Sequence, residues 1–522
     1  MAQIQVSNLT FCYDGSYDNI FENASFSIDT DWKLGFVGRN GKGKTTFLNL
    51  LMGKYEYQGT ISTSVVFDYF PYPVTEKQQQ ECFCDFLEEI RPDCEMWRVM
   101  CELEKLRLGA DVLYRPFETL SYGEKTKVML AVLFSGENHF LLIDEPTSHL
   151  DYPSREIVKS YLREKKGFIL VSHDRDLLDA CVDHVLVLNR CSIEVESGNF
   201  SSWWMNKERR DHFSQMENEK HRKEIQKLRK AADRTRGWAD QNERTKIGFD
   251  PIKEHERNIS TRAYIGAKTK KMQSRVKQME TRISDEILKK EGLLKDIEQP
   301  VELKMQPLVH HKEVLIRAKE YGISYRMADG SCREILNHFA FELRQGERVF
   351  LQGKNGCGKS TFLKAILVHS GERGAFLSAG SETMEKGVLT TVGGLTISYI
   401  SQDTSFLRGN LQEFCRGRGL EERLLKALLR QLGMERVQFE KNMEDYSEGQ
   451  RKKVLIAASL LTQAHLYIWD EPLNYIDVFS RMQIENVILR YRPTMLFVEH
   501  DVRFREKIAT RVVEERWEKA ER

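Results

Sequence analysis

The chain has 522 residues, 30% charged and 41% hydrophobic, with 79 Lys and Arg against 78 Asp and Glu. That length exceeds what one hydrophobic core supports and predicts at least two domains. The near-balance of charge excludes a chain that binds nucleic acid through its overall charge, so an electrostatic partner must meet a local patch.

No run approaches the roughly 20 apolar residues of a spanning helix, and mean hydropathy is −0.50. Met1 to Thr10 lack a charged segment followed by an apolar one. No membrane contact and a cytoplasmic location are therefore expected. The ten cysteines are scattered, and Cys82 and Cys84 have no second Cys or His pair at zinc spacing, so free thiols are expected.

In chain order, alternating runs over Ile4 to Tyr13 and Phe21 to Ile28 predict a small antiparallel subdomain. A β-rich run, Lys33 to Gly38, leads into GRNGKGKT at Gly38 to Thr45. LSYGE follows at Leu120 to Glu124, then a strand, Phe140 to Asp144, that closes in Asp-Glu, and a strand, Gly167 to Ser172, followed by His173.

The same series then returns in the same order. Alternating runs at Ala318 to Tyr325 and Phe339 to Leu343 precede GKNGCGKS at Gly353 to Ser360, YSEGQ at Tyr446 to Gln450, Asp470-Glu471, and His500 in VEHD. The offset is 315 at the first motif and 326 at the signature and Asp-Glu motifs, which predicts two copies of one domain, residues 1–200 and 305–522. Strands alternating with helices predict an α/β fold with a mostly parallel sheet in each copy.

Between the copies, residues 201–304 read differently. From 201 to 300 there are 25 basic against 17 acidic residues. Met272, Val276, Met279, Ile283, Ile287, Leu294 and Ile297 follow a heptad spacing, and Ile225, Leu228 and Ala232 keep similar steps earlier. Gly248 and Pro251 stop a helix between them. An antiparallel helical hairpin is predicted, with a return helix of about 35 residues reaching on the order of 50 Å. Its basic residues suit either a solvated coiled-coil face or an RNA-contacting arm; Trp238 and Phe249 near the turn favour the arm.

The chemistry begins with Gly-x4-Gly-Lys-Thr/Ser between strand and helix, whose main-chain N–H groups and helix start suit phosphates. The candidate ATP-binding residues are Gly38, Asn40, Gly41, Gly43, Lys44, Thr45 and Thr46, then Gly353, Asn355, Gly356, Gly358, Lys359, Ser360 and Thr361. Lys44 and Lys359 are expected on the β and γ phosphates, and Thr45 and Ser360 on Mg²⁺. Asp144 and Asp470 end apolar strands where a metal shell would sit; Glu145 and Glu471 are the candidate bases for water. His173 and His500 follow at near-equal spacing, 28 and 29 residues, as candidate γ-phosphate contacts.

LSYGE and YSEGQ resemble the LSGGQ signature of the ATP-binding-cassette ATPases. That resemblance implies a head-to-tail pairing within one monomeric chain, the Gly38 loop meeting Ser447, Gly449 and Gln450 and the Gly353 loop meeting Ser121 and Gly123. It also implies adenine stacking by Tyr13 and Tyr325, for which a strand tyrosine on a hydrophobic face is the alternative, and a contact from Gln402 to Mg²⁺. Tyr122 and Glu124 depart from the signature, and Tyr69-Phe70-Pro71-Tyr72 stands where the second copy has YISQ, so unequal sites are expected.

Two such domains joined by a charged hairpin resemble the ABC-F family over essentially the whole chain. WKLGFVGRNGKGKTTFLNLL, FPYPV, YSEGQRKKV, KIGFDP and YIGAKTKKM are similar to its Lsa-type antibiotic-resistance branch. The resemblance implies an ATPase that binds the ribosome near the tRNA exit site, with linker residues Lys246, Phe249, Ile252, Lys253 and Arg257 directed at large-subunit rRNA and peptidyl-tRNA. It further implies protection against lincosamides, streptogramin A compounds and pleuromutilins. A housekeeping translation factor of the same family and a transporter's ATPase subunit are the alternatives.

Overall fold

The computed structural model describes residues 3–13, 19–92, 94–136, 139–148, 150–189, 192–244, 274, 277–279, 281–283, 286, 303–326, 332–353, 356–371 and 383–514. The chain divides into two compact units, Met1–Trp203 together with Pro300–Arg522, and Trp204–Gln299.

In the first unit, the N-terminal half contains β1 (Gln3–Phe11), β2 (Phe21–Asp29), β3 (Lys33–Val37), β4 (Gln58–Ser62), β5 (Val66–Phe70), β6 (His139–Asp144), β7 (Phe168–Val171), β8 (His184–Leu188) and β9 (Ile193–Ser197). The C-terminal half contains β10 (Val314–Arg326), β11 (Cys332–Arg344), β12 (Arg348–Leu351), β13 (Thr383–Thr391), β14 (Ile397–Ile400), β15 (Leu466–Asp470), β16 (Met495–Val498) and β17 (Arg511–Val513).

The topology repeats. A sheet ordered β5-β6-β7-β3-β8-β9 has its counterpart in β14-β15-β16-β12-β17, and β2-β1-β4 has its counterpart in β11-β10-β13. Every pair in the two larger sheets is parallel except β8 with β9. Strands buried on both faces need unbroken apolar runs, and FILV in β7 and MLFV in β16 meet that requirement with every residue buried.

The small sheets are antiparallel, and β10 and β11 extend well beyond the alternating runs seen in the sequence. Register shifts between Ala318 and Tyr321, with Glu320 and His338 at φ 45° and 49°, interrupt the alternation; the break at His338 hides the part of β11 that precedes Phe339. Helices Phe83–Ile90, Met96–Lys105 and Tyr122–Phe134 lie between β5 and β6 in sequence; Leu411–Arg418, Glu422–Gln431 and Glu448–Leu461 take the same place between β14 and β15.

In the second unit, most of the described residues belong to helix Phe200–Arg244, and residues 277–279 and 281–283 are also helical. Ile225 and Ile283, both from the apolar spacing, are buried. The turn at Gly248 to Pro251 and the candidate contacts Lys246, Phe249, Ile252, Lys253 and Arg257 lie outside the described residues, as does Asn355. Among the described residues, no helix is long and apolar enough to cross a membrane.

Candidate functional site

Each Gly-rich loop joins the C-terminal end of a central strand, β3 or β12, to a helix that starts at Lys44 or Lys359. Gly43 and Gly358 precede those lysines at φ 107° and 106°. A Cβ there would lie 2.4 Å from Ile20 Cγ2 or 2.6 Å from Ile335 Cγ2, so both left-handed backbone and close packing require glycine.

Lys44 Nζ donates to Gly38 O at 2.8 Å, Arg39 O at 3.2 Å and Asn40 Oδ1 at 3.3 Å; Lys359 Nζ donates to Gly353 O at 2.8 Å. Burial lowers the pKa of the Lys44 ammonium from its ordinary value. Tyr13 and Tyr325 both reach the helix that follows the loop. Tyr13 Oη lies 2.8 Å from Thr46 Oγ1, and Tyr325 donates to Thr361 Oγ1 at 3.3 Å. The Tyr13 ring also meets Phe11 and Tyr55 edge-on.

The acidic pairs close β6 and β15. Thr45 Oγ1 donates to Asp144 Oδ2 at 3.1 Å, and the Ser360 hydroxyl bonds Asp470. Burial raises both aspartates, Asp470 to about 6. Glu145 and Glu471 follow with left-handed backbone, φ 51° and 47°, a strained conformation for a non-glycine residue of the kind that concentrates at functional sites.

The two glutamates differ electrostatically. Burial, then the neighbouring Asp144 charge, pushes Glu145 up to about 8. Burial acts the same way on Glu471, but His500, Lys359 and Lys452 outweigh it and hold that carboxyl below its usual range. His173 Nε2 stands 3.6 Å from Glu145 Oε1, beyond hydrogen-bond reach, and His500 Nε2 stands 3.4 Å from Glu471 Oε1. Burial and the Lys44 and Arg481 charges keep His173 neutral.

Gln402 donates its amide to Glu471 Oε2 at 3.0 Å, which leaves its carbonyl oxygen as the atom able to face a metal. In the first half, Tyr72 occupies the matching position, and its hydroxyl donates to Asp68 at 2.8 Å. Tyr69 instead reaches the strand-end carboxylate, donating to Asp144 Oδ2 at 3.2 Å.

Ser121 and Ser447 are helix N-caps, each in a reciprocal capping box with the residue three places on. Glu124 Oε2 accepts from Ser121 N at 2.7 Å, and Gln450 Oε1 accepts from Ser447 N at 3.1 Å. The exchange of Gln for Glu at position 124 therefore keeps the cap and adds a contact to Arg115 at 3.5 Å.

The halves complete one another's clefts. Asn40 Nδ2 donates to Tyr475 O at 2.7 Å, Lys42 pairs with Glu435 at 3.0 Å, and Asn474, Tyr475 and Arg481 line the cleft at Glu145. A Cβ on Gly449 would stand 2.7 Å from the same Tyr475 carbonyl, which places the second signature beside the first phosphate loop. In the other cleft, Tyr152 lines the wall with Gly353, Lys359 and His500, and Arg155 donates to His500 O at 3.3 Å. A buried ion pair, Arg175 with Glu485, also crosses between the halves.

These residues suit Mg²⁺ and a nucleotide. Among the described residues, Asp470 Oδ1 and Glu145 Oε1 are buried without a hydrogen-bond partner, so each has an acceptor to give. The hydroxyl and carboxylate oxygens of Thr45 with Asp144, and of Ser360 with Asp470, are hard donors of the kind Mg²⁺ prefers.

Two clefts, each with a phosphate loop and a strand-end Asp-Glu pair from one half and walls from the other, define an ATPase with tandem ATP-binding cassettes. The chain belongs to the ABC transporter family, whose profile matches residues 21–148 and 336–474, just over half its length. It is similar to the ribosome protection protein VmlR of Bacillus subtilis (strain 168), 27% identical over 500 residues that span 95% of this chain and 84% of that protein. It is also similar to the erythromycin resistance ATP-binding protein MsrA of Staphylococcus epidermidis, 26% identical over 499 residues, 93% of this chain and 91% of that one. Among solved structures, archaeal ribosome recycling factor aABCE1, in complex with ribosomal stalk protein aP1, shares the fold at TM-score 0.59 and 18% identity, over 97% of this chain and 86% of that one.

Sequence reasoning placed Tyr69 only as part of the departure from YISQ and missed its contact to Asp144; it did not single out Asn474 and Tyr475. The last two stand three and four residues after Glu471, a fixed offset that was available as a signal.

Proposed function

We propose that this chain is an ABC-F protein of the Lsa type, cytoplasmic and ribosome-associated, which protects the large subunit from lincosamides, streptogramin A compounds and pleuromutilins. The observation that carries the reading is the near full-length similarity to VmlR, a ribosome protection protein, which spans 95% of this chain and therefore includes part of the basic segment between the cassettes. Similarity of the same extent to MsrA supports the resistance arm of the reading.

In this reading each ATP is held by a phosphate loop, Gly38 to Thr46 or Gly353 to Thr361, and faces a signature from the other half, Ser447 to Gln450 or Ser121 to Gly123. Thr45 with Asp144, and Ser360 with Asp470 and Gln402, hold Mg²⁺, which supplies positive charge against the phosphates when bound. Glu471 accepts the proton of the attacking water as a carboxylate, and Glu145 does so only in its ionised form, which burial and Asp144 disfavour; His173 and His500 orient toward the γ-phosphate. ATP occupancy selects the closed form, and binding to the ribosome then drives the tip of segment 201–304 toward the peptidyl-transferase centre.

The test is co-sedimentation of the Glu145→Gln, Glu471→Gln chain with ribosomes. Retention with ATP and release without it are expected; equal recovery in both conditions overturns the reading. A drug panel that includes erythromycin then resolves the branch, because a housekeeping factor leaves the inhibitory concentrations of a sensitive host unchanged. Replacing Phe249 to Lys253 by a Gly-Ser turn is expected to abolish protection while ATP hydrolysis and ribosome binding persist.

A further inference from the structure

Among the described residues, Glu471 is gripped by side-chain amides that Glu145 lacks. Gln402 Nε2 at 3.0 Å and Asn474 Nδ2 at 2.9 Å both donate to one oxygen, Oε2, and so turn Oε1 toward His500. Hydrogen bonds to an ionised carboxylate are the stronger kind, and two on one oxygen fix both its position and the plane of the group.

Sheet register identifies the counterparts in the first half. Tyr399 faces Ile468 in the ladder as Tyr69 faces Leu142, so Gln402 and Tyr72 hold equivalent places. Asn474 and Ser148 each stand three residues past their glutamate. Tyr72 is turned to Asp68, Ser148 has no side-chain amide, and among the described residues Glu145 Oε1 has no hydrogen-bond partner. The glutamate backbones match, φ 51° and 47°, so the difference lies in the donors around them.

We propose that Asn474 is a positioning residue which, with Gln402, holds Glu471 in the orientation for hydrolysis, and that the Glu471 cleft turns over ATP faster than the Glu145 cleft. This rests on the reading of the two glutamates as the bases. Asn474 bonds neither loop lysine nor strand-end aspartate among the described hydrogen bonds, and where it also lines the cleft at Glu145 it makes no described bond to that half, so its contribution falls mainly on turnover at Glu471.

Steady-state hydrolysis and binding of a fluorescent ATP analogue are measured on the full chain and on Asn474→Ser, Asn474→Asp, Glu471→Gln and Glu145→Gln. Loss of the amide lowers kcat about tenfold in the Ser variant and further in the Asp variant, with KM and analogue affinity within about twofold. Unchanged kcat in both Asn474 variants, when Glu471→Gln lowers it, overturns the role of Asn474. A parallel fall in kcat and analogue affinity overturns it too, because that pattern marks a damaged loop. A Glu145→Gln chain slower than Glu471→Gln overturns the order of the clefts. Undiminished hydrolysis in Glu471→Gln overturns instead the assignment of Glu471 as a base.

Discussion

Asn40, in the first phosphate loop, donates its side-chain amide at 2.7 Å to the main-chain carbonyl of Tyr475, 435 positions further along the chain. That carbonyl also abuts Gly449, so one oxygen fastens a phosphate loop to the opposite signature. Asn40→Ala removes the bond to Tyr475 and the acceptor for Lys44 Nζ, but only the first joins the halves; its loss, about 1 kcal/mol, shifts the balance of closed over open chains roughly fivefold. Energy transfer between dyes on the two cassettes at saturating ATP reads that shift. A closed fraction equal to wild type means the contact does not hold the halves together.

Arg175 and Glu485 form a buried pair across the halves, with Glu485 fully buried and Lys507 also 3.1 Å from it. Arg175→Met leaves that carboxylate without its main partner and is expected to cost about 3 kcal/mol of stability. Arg175→Met with Glu485→Met recovers much of the loss, since Lys507, 42% exposed, can turn to water and Asp501 keeps Arg481 at 3.0 Å. Urea unfolding of the three chains checks the order, and a double variant as weak as the single one contradicts it.

Asp477 caps helix Val478–Tyr491 and pairs with Lys453 at 2.9 Å. Burial opposes its ionisation, but Lys453 and the Ser480 N–H outweigh burial and hold the carboxyl well below its ordinary value of 3.8. A depressed folded pKa gives stability that is fully present above the unfolded pKa and is lost as pH falls through the folded one. Asp477→Asn is therefore expected to destabilise the chain at pH 7. Its deficit relative to wild type narrows by about 1.4 kcal/mol per unit below about pH 3.8. Unfolding at pH 7, 4 and 3 measures the gap; a gap that widens on acidification sinks the assignment.

The duplication was legible because phosphate loops, strand-end acids and caps are local motifs, and the parallel strands announce themselves as apolar runs such as FILV and MLFV. Contacts between distant parts were not. Nothing in the local sequence says that Tyr69 rather than Tyr72 reaches Asp144, because the choice depends on which face of β5 meets β6. The left-handed backbone at Glu145 and Glu471 is equally silent, since glutamate has no preference for it and the surrounding fold imposes it. The left-handed residue His338 hid the first part of β11 for the opposite reason: it breaks the alternation just before Phe339 and erases a signal that would otherwise be plain.

The Arg175 and Glu485 pair also bears on descent. Counting from the helix caps Asp174 and Asp501, Arg175 corresponds to Val502; counting from Asp151 and Asp477, Glu485 corresponds to Lys159. Two copies of the N-terminal cassette would bring Arg175 against Lys159, cation facing cation, and two copies of the C-terminal cassette would bury Glu485 opposite valine. At this contact the charges of the two halves are complementary to each other, and neither half carries both members of the pair at the corresponding positions.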